Sequence, residues 1–362
     1  MICHLILKQE YIKMTNRLCY ISRNYRGVTS SGSKAKTDNE ITLLEMGAHN
    51  LGLPSTYYRS KIITFFLDLL GIFKLVMTIK PNDILVLQYP VKKYFSFICN
   101  IAHRHGAKTV TVIHDLGCMR RKKLSEDQEI HRLMHSDYVI ASNESMASWL
   151  RNHGYQHPLY ALGLFDYRSE ACAHFPELIN ASHQLFTLVY AGSLAMRKNS
   201  FLLKIQPQIK NFQLQIYGDR DGLPELKDSD YLHVNGFMDS DDFIKHVKGD
   251  FGLVWDGDSL DTCSGSFGEY LHWNSPHKVS FYLRAGLPVI VWQDAAVAPI
   301  IQEEGIGICI KRLSELNNLL PKISDQKIYE MRKNVYRVSE RLRKGGYLKT
   351  VLETVMNREA VE

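Results

Sequence analysis

Between Phe251 and Trp292 the chain reads FGLVWDGDSLDTCSGSFGEYLHWNSPHKVSFYLRAGLPVIVW, and Lys278 stands at its most demanding position. The spacing predicts a short buried strand over 251–255, a polar, glycine-rich loop over 256–275, a helix over 276–284 closed by Gly286, and a second strand over 289–292. With Ser275 as N-cap and Pro276 at the first helical position, Lys278 falls in the first turn, at the positive end of the helix dipole. A cation there is repelled unless an anion sits between it and the free N–H groups. Phosphate is the usual anion; a solvated lysine pointing away is the alternative.

The same pattern occurs upstream. Gly192 and Ser193 end the run FTLVYA, and Arg197 and Lys198 follow just before a helix predicted from Asn199 or Ser200. Two helix starts carrying cations suit a diphosphate, with Arg197 as a planar fork on phosphate oxygens and Lys278 as a point charge. Tyr217-Gly218 and Asn235-Gly236-Phe237 end two further strands, where small residues admit close backbone approach and Phe237 offers either a stacking face for a base or a core side chain. Ser264, Gly265, Ser266 and Glu269 suit sugar or ribose hydroxyls, and Asn274 at the end of this loop joins the same donor-side set. Asp256 and Asp258, one residue apart, have the spacing of divalent-cation ligands. The cations and helix N-termini already neutralise a diphosphate, so no metal is expected, and these aspartates are left to sugar hydroxyls or loop order.

In the first half, His114 and Asp115 follow the strand-like run TVTVI, and either is a candidate general base; packing of His114 and capping by Asp115 are the alternatives. The stretch 31–37, SGSKAKT, with Ser33, Lys34, Lys36, Thr37 and then Asp38, reads as a loop facing the same cleft and able to close over a ligand as a lid.

These residues need a scaffold that brings strand ends together. Strand patterns recur at 17–22, 83–88, 109–114 and 138–141, then at 186–191, 212–217, 231–234, 251–255, 289–292 and 306–310, with helical patterns between nearly all of them. The alternation predicts an α/β chain of two doubly wound, Rossmann-like domains facing across a cleft. We expect an extension or arm over 1–13, an acceptor-binding domain over 14–165, a nucleotide-sugar-binding domain over 166–324, and a C-terminal helical segment over 325–362 packing back on the first domain. The stretch 159–167 is expected to cross between domains.

Composition fits. At 362 residues, 45% hydrophobic and 23% charged, the chain has the make-up of a globular protein with room for two cores. Seven scattered cysteines without a CxxC pair favour a reducing, cytoplasmic setting over a disulfide framework or zinc site. A net charge of +6 is too diffuse for nucleic acid, yet it suits an anionic substrate or the inner leaflet of a membrane. The apolar run 62–79, IITFFLDLLGIFKLVMTI, is interrupted by Asp68 and Lys74 and is marginal for a span; a buried helix is expected, with a membrane-facing amphipathic helix as the alternative.

YAGSLAMRKNSF (190–201), the 251–278 run with WDGDS and NSPHK, and AGLPVIVW (285–292) resemble the donor-binding half of bacterial β-1,6-galactofuranosyltransferases of O-antigen synthesis. More distantly they are similar to the glucosyltransferase 3 group that acts on serine-rich adhesins; SKAKTD (33–38) and HDL (114–116) carry a weaker likeness in the first half. The resemblance implies the GT-B fold, with a nucleotide sugar held by the second domain, the acceptor by the first, and no metal or other cofactor. Arg197, Phe237 and Lys278 match positions at which the adhesin enzymes hold UDP. Those enzymes have Tyr where this chain has Phe237, so stacking carries over and a phenolic hydrogen bond does not.

Together these readings predict an inverting, metal-independent glycosyltransferase of surface polysaccharide (lipopolysaccharide) synthesis. Its expected donor is UDP-galactofuranose and its acceptor a lipid-linked oligosaccharide. Peripheral contact with the cytoplasmic face of the inner membrane and self-association are further expectations. A UDP-glucose-dependent glucosyltransferase acting on a glycoprotein, and a non-catalytic GT-B partner protein, are the alternatives; a nucleotide-sugar epimerase would need an acid–base pair flanking the sugar, which the sequence does not offer.

Overall fold

The computed structural model describes residues 16–25, 31–90, 94–120, 124–173 and 185–359. The proposed N-terminal arm, 1–13, lies outside the described residues. Two six-stranded sheets, each parallel throughout, carry the fold. The first holds β1 (Leu18–Tyr20), β2 (His49–Asn50), β3 (Ile84–Tyr89), β4 (Lys108–Ile113), β5 (Tyr138–Ala141) and β6 (Leu159–Ala161), in the order β2-β1-β3-β4-β5-β6. The second holds β7 (Phe186–Ala191), β8 (Phe212–Tyr217), β9 (Leu232–Gly236), β10 (Phe251–Val254), β11 (Val289–Trp292) and β12 (Gly307–Ile310), in the order β12-β11-β10-β7-β8-β9. Apolar runs such as ILVLQY and VIVW are buried at every position because helices cover both faces of a parallel sheet.

Each sheet has one place where the strand order reverses. After β2 the chain returns to the other side of β1 to lay down β3, and after β9 it returns to the other side of β7 to lay down β10, in the register Phe251↔Leu188 and Gly252↔Val189. At such switch points the loops leaving the carboxyl ends diverge and open a crevice for ligands. The carboxyl-end loops of the two sheets face one another: the Leu116 amide donates to Tyr270 Oη (2.9 Å) and Asn143 Nδ2 to the Trp273 carbonyl (3.1 Å). This is the two-domain, cleft-facing α/β architecture expected.

Several elements differ from the sequence reading. The stretch 31–37 is no lid: it opens a 15-residue helix, Ser31–Glu45, in which Lys34 pairs with Asp38 one turn on. Residues 159–167 cross between domains only after Leu159–Ala161 has joined the first sheet as its edge strand. The C-terminal run is two helices, Asp325–Arg343 and Gly346–Glu359, broken at Gly345, whose φ of 70° suits glycine. The second of them lies on Ser31–Glu45, and its first turn is capped by Asp166, whose carboxylate accepts from the Tyr347 (3.1 Å) and Leu348 (2.8 Å) amides.

The expectation of a buried helix over 62–79 fails most plainly. The helix Lys61–Thr78 turns Thr64, Gly71, Ile72 and Leu75 inward, and Gly71 lets it approach the chain at Gly52 and Leu53. Its outward side carries Ile62, Phe66, Phe73 and Met77, between 57% and 71% exposed.

Candidate active site

At the β7/β10 switch point, the run FTLVYA delivers Tyr190 into the interior, where its hydroxyl lies 3.2 Å from Asp256 Oδ1 and accepts from Asn199 Nδ2. Beyond β10 the fully buried Trp255 donates its indole N–H to the Ser259 carbonyl (2.9 Å), folding the loop back on itself. Asp256 thereby faces two lysines, Lys198 Nζ at 3.8 Å and Lys278 Nζ at 3.9 Å. Lys278 Nζ also sits 3.8 Å from the centre of the Tyr190 ring, a cation–π contact. Only 14% of the Lys278 side chain reaches solvent. Burial pushes its pKa down to about 7; Asp256 opposes the shift and Lys198 adds to it.

Gly192 keeps the approach to this lysine open. Its φ of 142° disfavours any side chain, and a Cβ there would point at Lys278 Cε, 3.7 Å away. Gly192 and Ser193 are exposed. The helix His277–Arg284 begins one residue later than the sequence suggests, with Pro276 at the cap position. Ser275 is not its cap: the hydroxyl is 2.7 Å from the Gly163 carbonyl and accepts from Asn143 Nδ2 (3.0 Å), tying the domains together. Lys278 nevertheless keeps its place in the first turn.

Arg197 and Lys198 lie inside a four-residue helix, Met196–Asn199, directly ahead of a second short one, Phe201–Ile205, whose cap position is Ser200. Here the structure separates what the sequence joined. Lys198 converges with Lys278 on Asp256, whereas Arg197 stacks over Phe267 (4.9 Å). There it lines a neighbouring open depression of about 430 Å³ with Met196, Ser200, Gly257, Asp258 and Gly265. Ser264 also borders it, but its hydroxyl is spent on loop order: it donates to Asp258 (2.6 Å) and accepts from the Asp258 amide (3.0 Å). That bond holds the exposed Asp258 carboxyl below its usual range. Asp256 and Asp258 thus turn to different partners, each with a lysine nearby, and no group of three or more metal-ligating side chains occurs among the described residues. Tyr217 packs edge-on against Phe243 at the end of β8. Phe237 is 73% exposed, which removes the core-packing alternative. Glu269 is exposed, and Asn274 Oδ1 is buried without a hydrogen-bond partner among the described residues.

The first-domain residues are closed on one another. His114 lies flat on Phe165 (5.0 Å between ring centres, 6° apart), with Nε2 3.0 Å from Gln88 Oε1. Burial above all, then the Lys36 charge, holds its pKa well below the usual imidazole range. A neutral His114 that donates to Gln88 is a packed residue. Asp115, by contrast, is 29% exposed at the domain boundary and paired with Arg120. Lys34 reaches Asp38 and the Arg168 carbonyl and lies 4.7 Å from the Tyr167 ring. Asp38 also accepts from the Arg168 amide (2.9 Å), and burial pushes its pKa up to about 6. The Thr37 hydroxyl is 3.0 Å from the Lys34 carbonyl and 3.3 Å from that of Ser33, while the Lys36 carbonyl accepts from Gln88 Nε2 (3.0 Å).

The β1/β3 switch point is built from residues the sequence reading passed over. Asn39 Nδ2 donates to Gln88 Oε1 (3.2 Å), and buried Glu40 accepts from Ser22 Oγ (2.8 Å) and Tyr25 Oη. Gln88 did leave a signal: it is the one amide in the apolar run ILVLQY, and a polar side chain in a buried strand needs partners.

Residues 18–164 match the family model described as Glucosyltransferase 3-like, N-terminal domain, and residues 188–355 its C-terminal domain. The chain is 30% identical over 280 residues to Beta-1,6-galactofuranosyltransferase WbbI of Escherichia coli (strain K12), covering 77% of this chain and 81% of that one. It is 25% identical to Glucosyltransferase 3 of Streptococcus gordonii, over 68% of this chain and 70% of the relative. Among solved structures, a trehalose-6-phosphate protein from E. coli bound with UDP-2-fluoro glucose superposes with a TM-score of 0.59 over 94% of this chain and 99% of its own, at 10% identity. That likeness is one of fold.

Proposed function

The chain belongs to the glucosyltransferase 3-like family, and from that premise we propose that it is an inverting, metal-independent glycosyltransferase that takes galactofuranose from UDP-galactofuranose to a lipid-linked oligosaccharide. The observation that carries the donor assignment is the buried Lys278, in the first turn of a helix at the switch point, with Gly192 holding space open before it. A diphosphate there meets the helix N-terminus, Lys278 and Lys198, with Arg197 at the flank. The exposed Phe237 at the end of β9 offers the base a stacking face, and Tyr217, Asn274 and Glu269 border the donor side. The 30% identical E. coli relative supports galactofuranose as the sugar.

In the reaction, an acceptor hydroxyl from the first-domain side attacks the anomeric carbon opposite the diphosphate. The glycosidic C–O bond to phosphate breaks as the new one forms, the anomeric centre passes through oxocarbenium character, and the lysines take up the charge of the leaving UDP. Asp115 takes the hydroxyl proton. It is the carboxylate at the boundary with solvent access, whereas Asp38 anchors the domain crossing and His114 already donates to Gln88. To accept the proton, Asp115 gives up part of its pairing with Arg120.

The streptococcal relative supports a second reading, transfer of glucose from UDP-glucose to a glycoprotein. A panel of UDP-sugars assayed for UDP release decides between them: UDP-galactofuranose should be consumed fastest. Preference for UDP-glucose would install the second reading, and UDP binding without turnover of any sugar or acceptor would point to a non-catalytic partner.

A further inference from the structure

Between residues 54 and 82 the chain carries one acid, Asp68, and four bases, Arg59, Lys61, Lys74 and Lys80. The helix Lys61–Thr78 sorts them in an unusual way. Ile72 and Leu75 face the protein together with polar and small residues: Thr64 accepts from Asn24 Nδ2 (2.8 Å), Asp68 Oδ1 is buried, and Gly71 approaches the backbone of Leu53. Lys74 Nζ donates to the Gly52 carbonyl (2.7 Å), which leaves Arg59 and Lys61 as the basic end at the start of the helix and Lys80 as the one after it. At about 100° per residue, Ile62, Ile63, Phe65, Phe66, Leu69, Leu70, Phe73 and Met77 fall on the opposite half of the helix. All eight are exposed, from 42% for Ile63 to 71% for Ile62. At roughly 200 Å² for a large apolar side chain, this face offers on the order of 900 Å² of apolar surface. The largest patch on an ordinary monomer is about 300–600 Å².

We propose that this face docks in the plane of an anionic lipid bilayer. No helix among the described residues is long and apolar enough to cross a membrane, so the helix lies along the surface with its apolar half in the acyl boundary. Charge selects the occupant. The patch is about the size that one partner contributes to a stable protein interface, so a second copy must be weighed. Any two-fold pairing of this helix with itself, parallel or antiparallel, brings basic ends onto basic ends, with the one nearby acid turned inward. An anionic leaflet satisfies both ends at once. Tyr57 (42% exposed) and Tyr58 (55%) precede the helix, as aromatic residues do at headgroup level.

The start of the helix is fastened to the loop leaving the carboxyl end of β1, through Asn24 Nδ2 to the Tyr58 carbonyl (2.7 Å) and the Tyr58 amide to Asn24 Oδ1 (2.8 Å). Docking therefore holds the acceptor-side crevice near the bilayer. The inference extends the lipid-linked acceptor reading without resting on it, because the surface is tested with neither donor nor acceptor present.

The test is flotation of the full chain with vesicles of phosphatidylglycerol and phosphatidylethanolamine, against vesicles of phosphatidylcholine alone. The wild type should float with the anionic vesicles and do so much less with the zwitterionic ones. Phe66→Gln/Phe73→Gln, both outward, should lower partitioning by at least about tenfold, with UDP affinity and melting temperature unchanged. Lys61→Glu, which leaves the apolar face intact, should lower it on the order of tenfold and remove the preference for anionic lipid. Failure of the wild type to float at millimolar anionic lipid overturns the proposal, as does undiminished flotation of Lys61→Glu together with either apolar variant that folds, the pair or Met77→Gln alone. A wild-type dimer that Phe66→Gln/Phe73→Gln converts to monomer, with no vesicle binding by either, assigns the face to self-association instead. Loss of flotation with donor turnover intact separates this outcome from any failure of the acceptor reading.

Discussion

At the β7/β10 switch point two lysines stand within 4 Å of one carboxylate, beside Gly192, whose φ of 142° keeps a side chain from lying against Lys278. At β1/β3 Lys34 and Asp38 are closed on each other and on the domain crossing, and Glu40 on Ser22 and Tyr25. The sheets share one plan, and each reverses its strand order once. A switch point therefore supplies a crevice and leaves its chemistry to the loops. The second domain concentrates cations, which is what a leaving diphosphate needs. The first uses its polar groups to position a neutral wall, Asn39, Gln88 and His114, and presents Asp115 at the edge.

The sharpest way to break this division is Asp115→Asn. Asparagine keeps the shape but cannot take a proton, so transfer should fall by about 10²–10⁴-fold while UDP affinity, measured by calorimetry, stays as it is. Full turnover would remove Asp115 as the base. Next in size, Lys278→Ala should weaken UDP binding by roughly 1.5–3 kcal/mol, the worth of a charge-assisted hydrogen bond. Arg197→Ala, further from Asp256, should cost less. Undiminished affinity in both variants would dissolve the donor assignment.

The depressed pKa of Lys278 adds a smaller, signed effect. Bound diphosphate favours the ammonium, so above pH 7, where the free protein has begun to lose that proton, binding must take one up. UDP affinity should fall by up to about tenfold per pH unit above 7 and level off below it. Calorimetry at pH 8 in buffers of different ionisation heat should register the proton uptake. The unfolded chain, with its lysine pKa of about 10.4, binds more protons between pH 7 and 10, so this group's share of stability rises with pH across that window. Affinity that is flat from pH 7 to 9 would mean that Lys278 is charged before UDP arrives. Last, excess EDTA should leave transfer unchanged, since fixed cations take the leaving charge. Loss in chelator with recovery in magnesium or manganese would return Asp256 and Asp258 to the role of ligands.

The strands were legible because a doubly covered parallel sheet demands short, uninterrupted apolar runs, and TVTVI, FTLVYA and VIVW announce themselves. Lys278 was legible for a local reason: a cation in a first helical turn conflicts with the dipole whatever the tertiary context. Other positions depended on partners far along the chain. Ser275 looks like a cap until Gly163 and Asn143 come within reach, and Lys34 and Asp38 look like a loop because their common partner, Arg168, lies 130 residues or more away. Lys198 rather than Arg197 joins Lys278 because a single turn of helix, 196–199, sets which of two adjacent side chains points at Asp256.

The helix Lys61–Thr78 marks the boundary between the two kinds of knowledge. Its sequence alone determined that it is a helix, apolar on most sides and too interrupted to span a bilayer. Which side faces out depends on packing, and here the first domain took the side with Thr64, Gly71, Ile72 and Leu75. A glycine permits the closest approach, and a hydroxyl can be satisfied by Asn24, so the inward position went to Thr64 and Gly71 beside Ile72 and Leu75, and eight other large apolar residues were left on the surface.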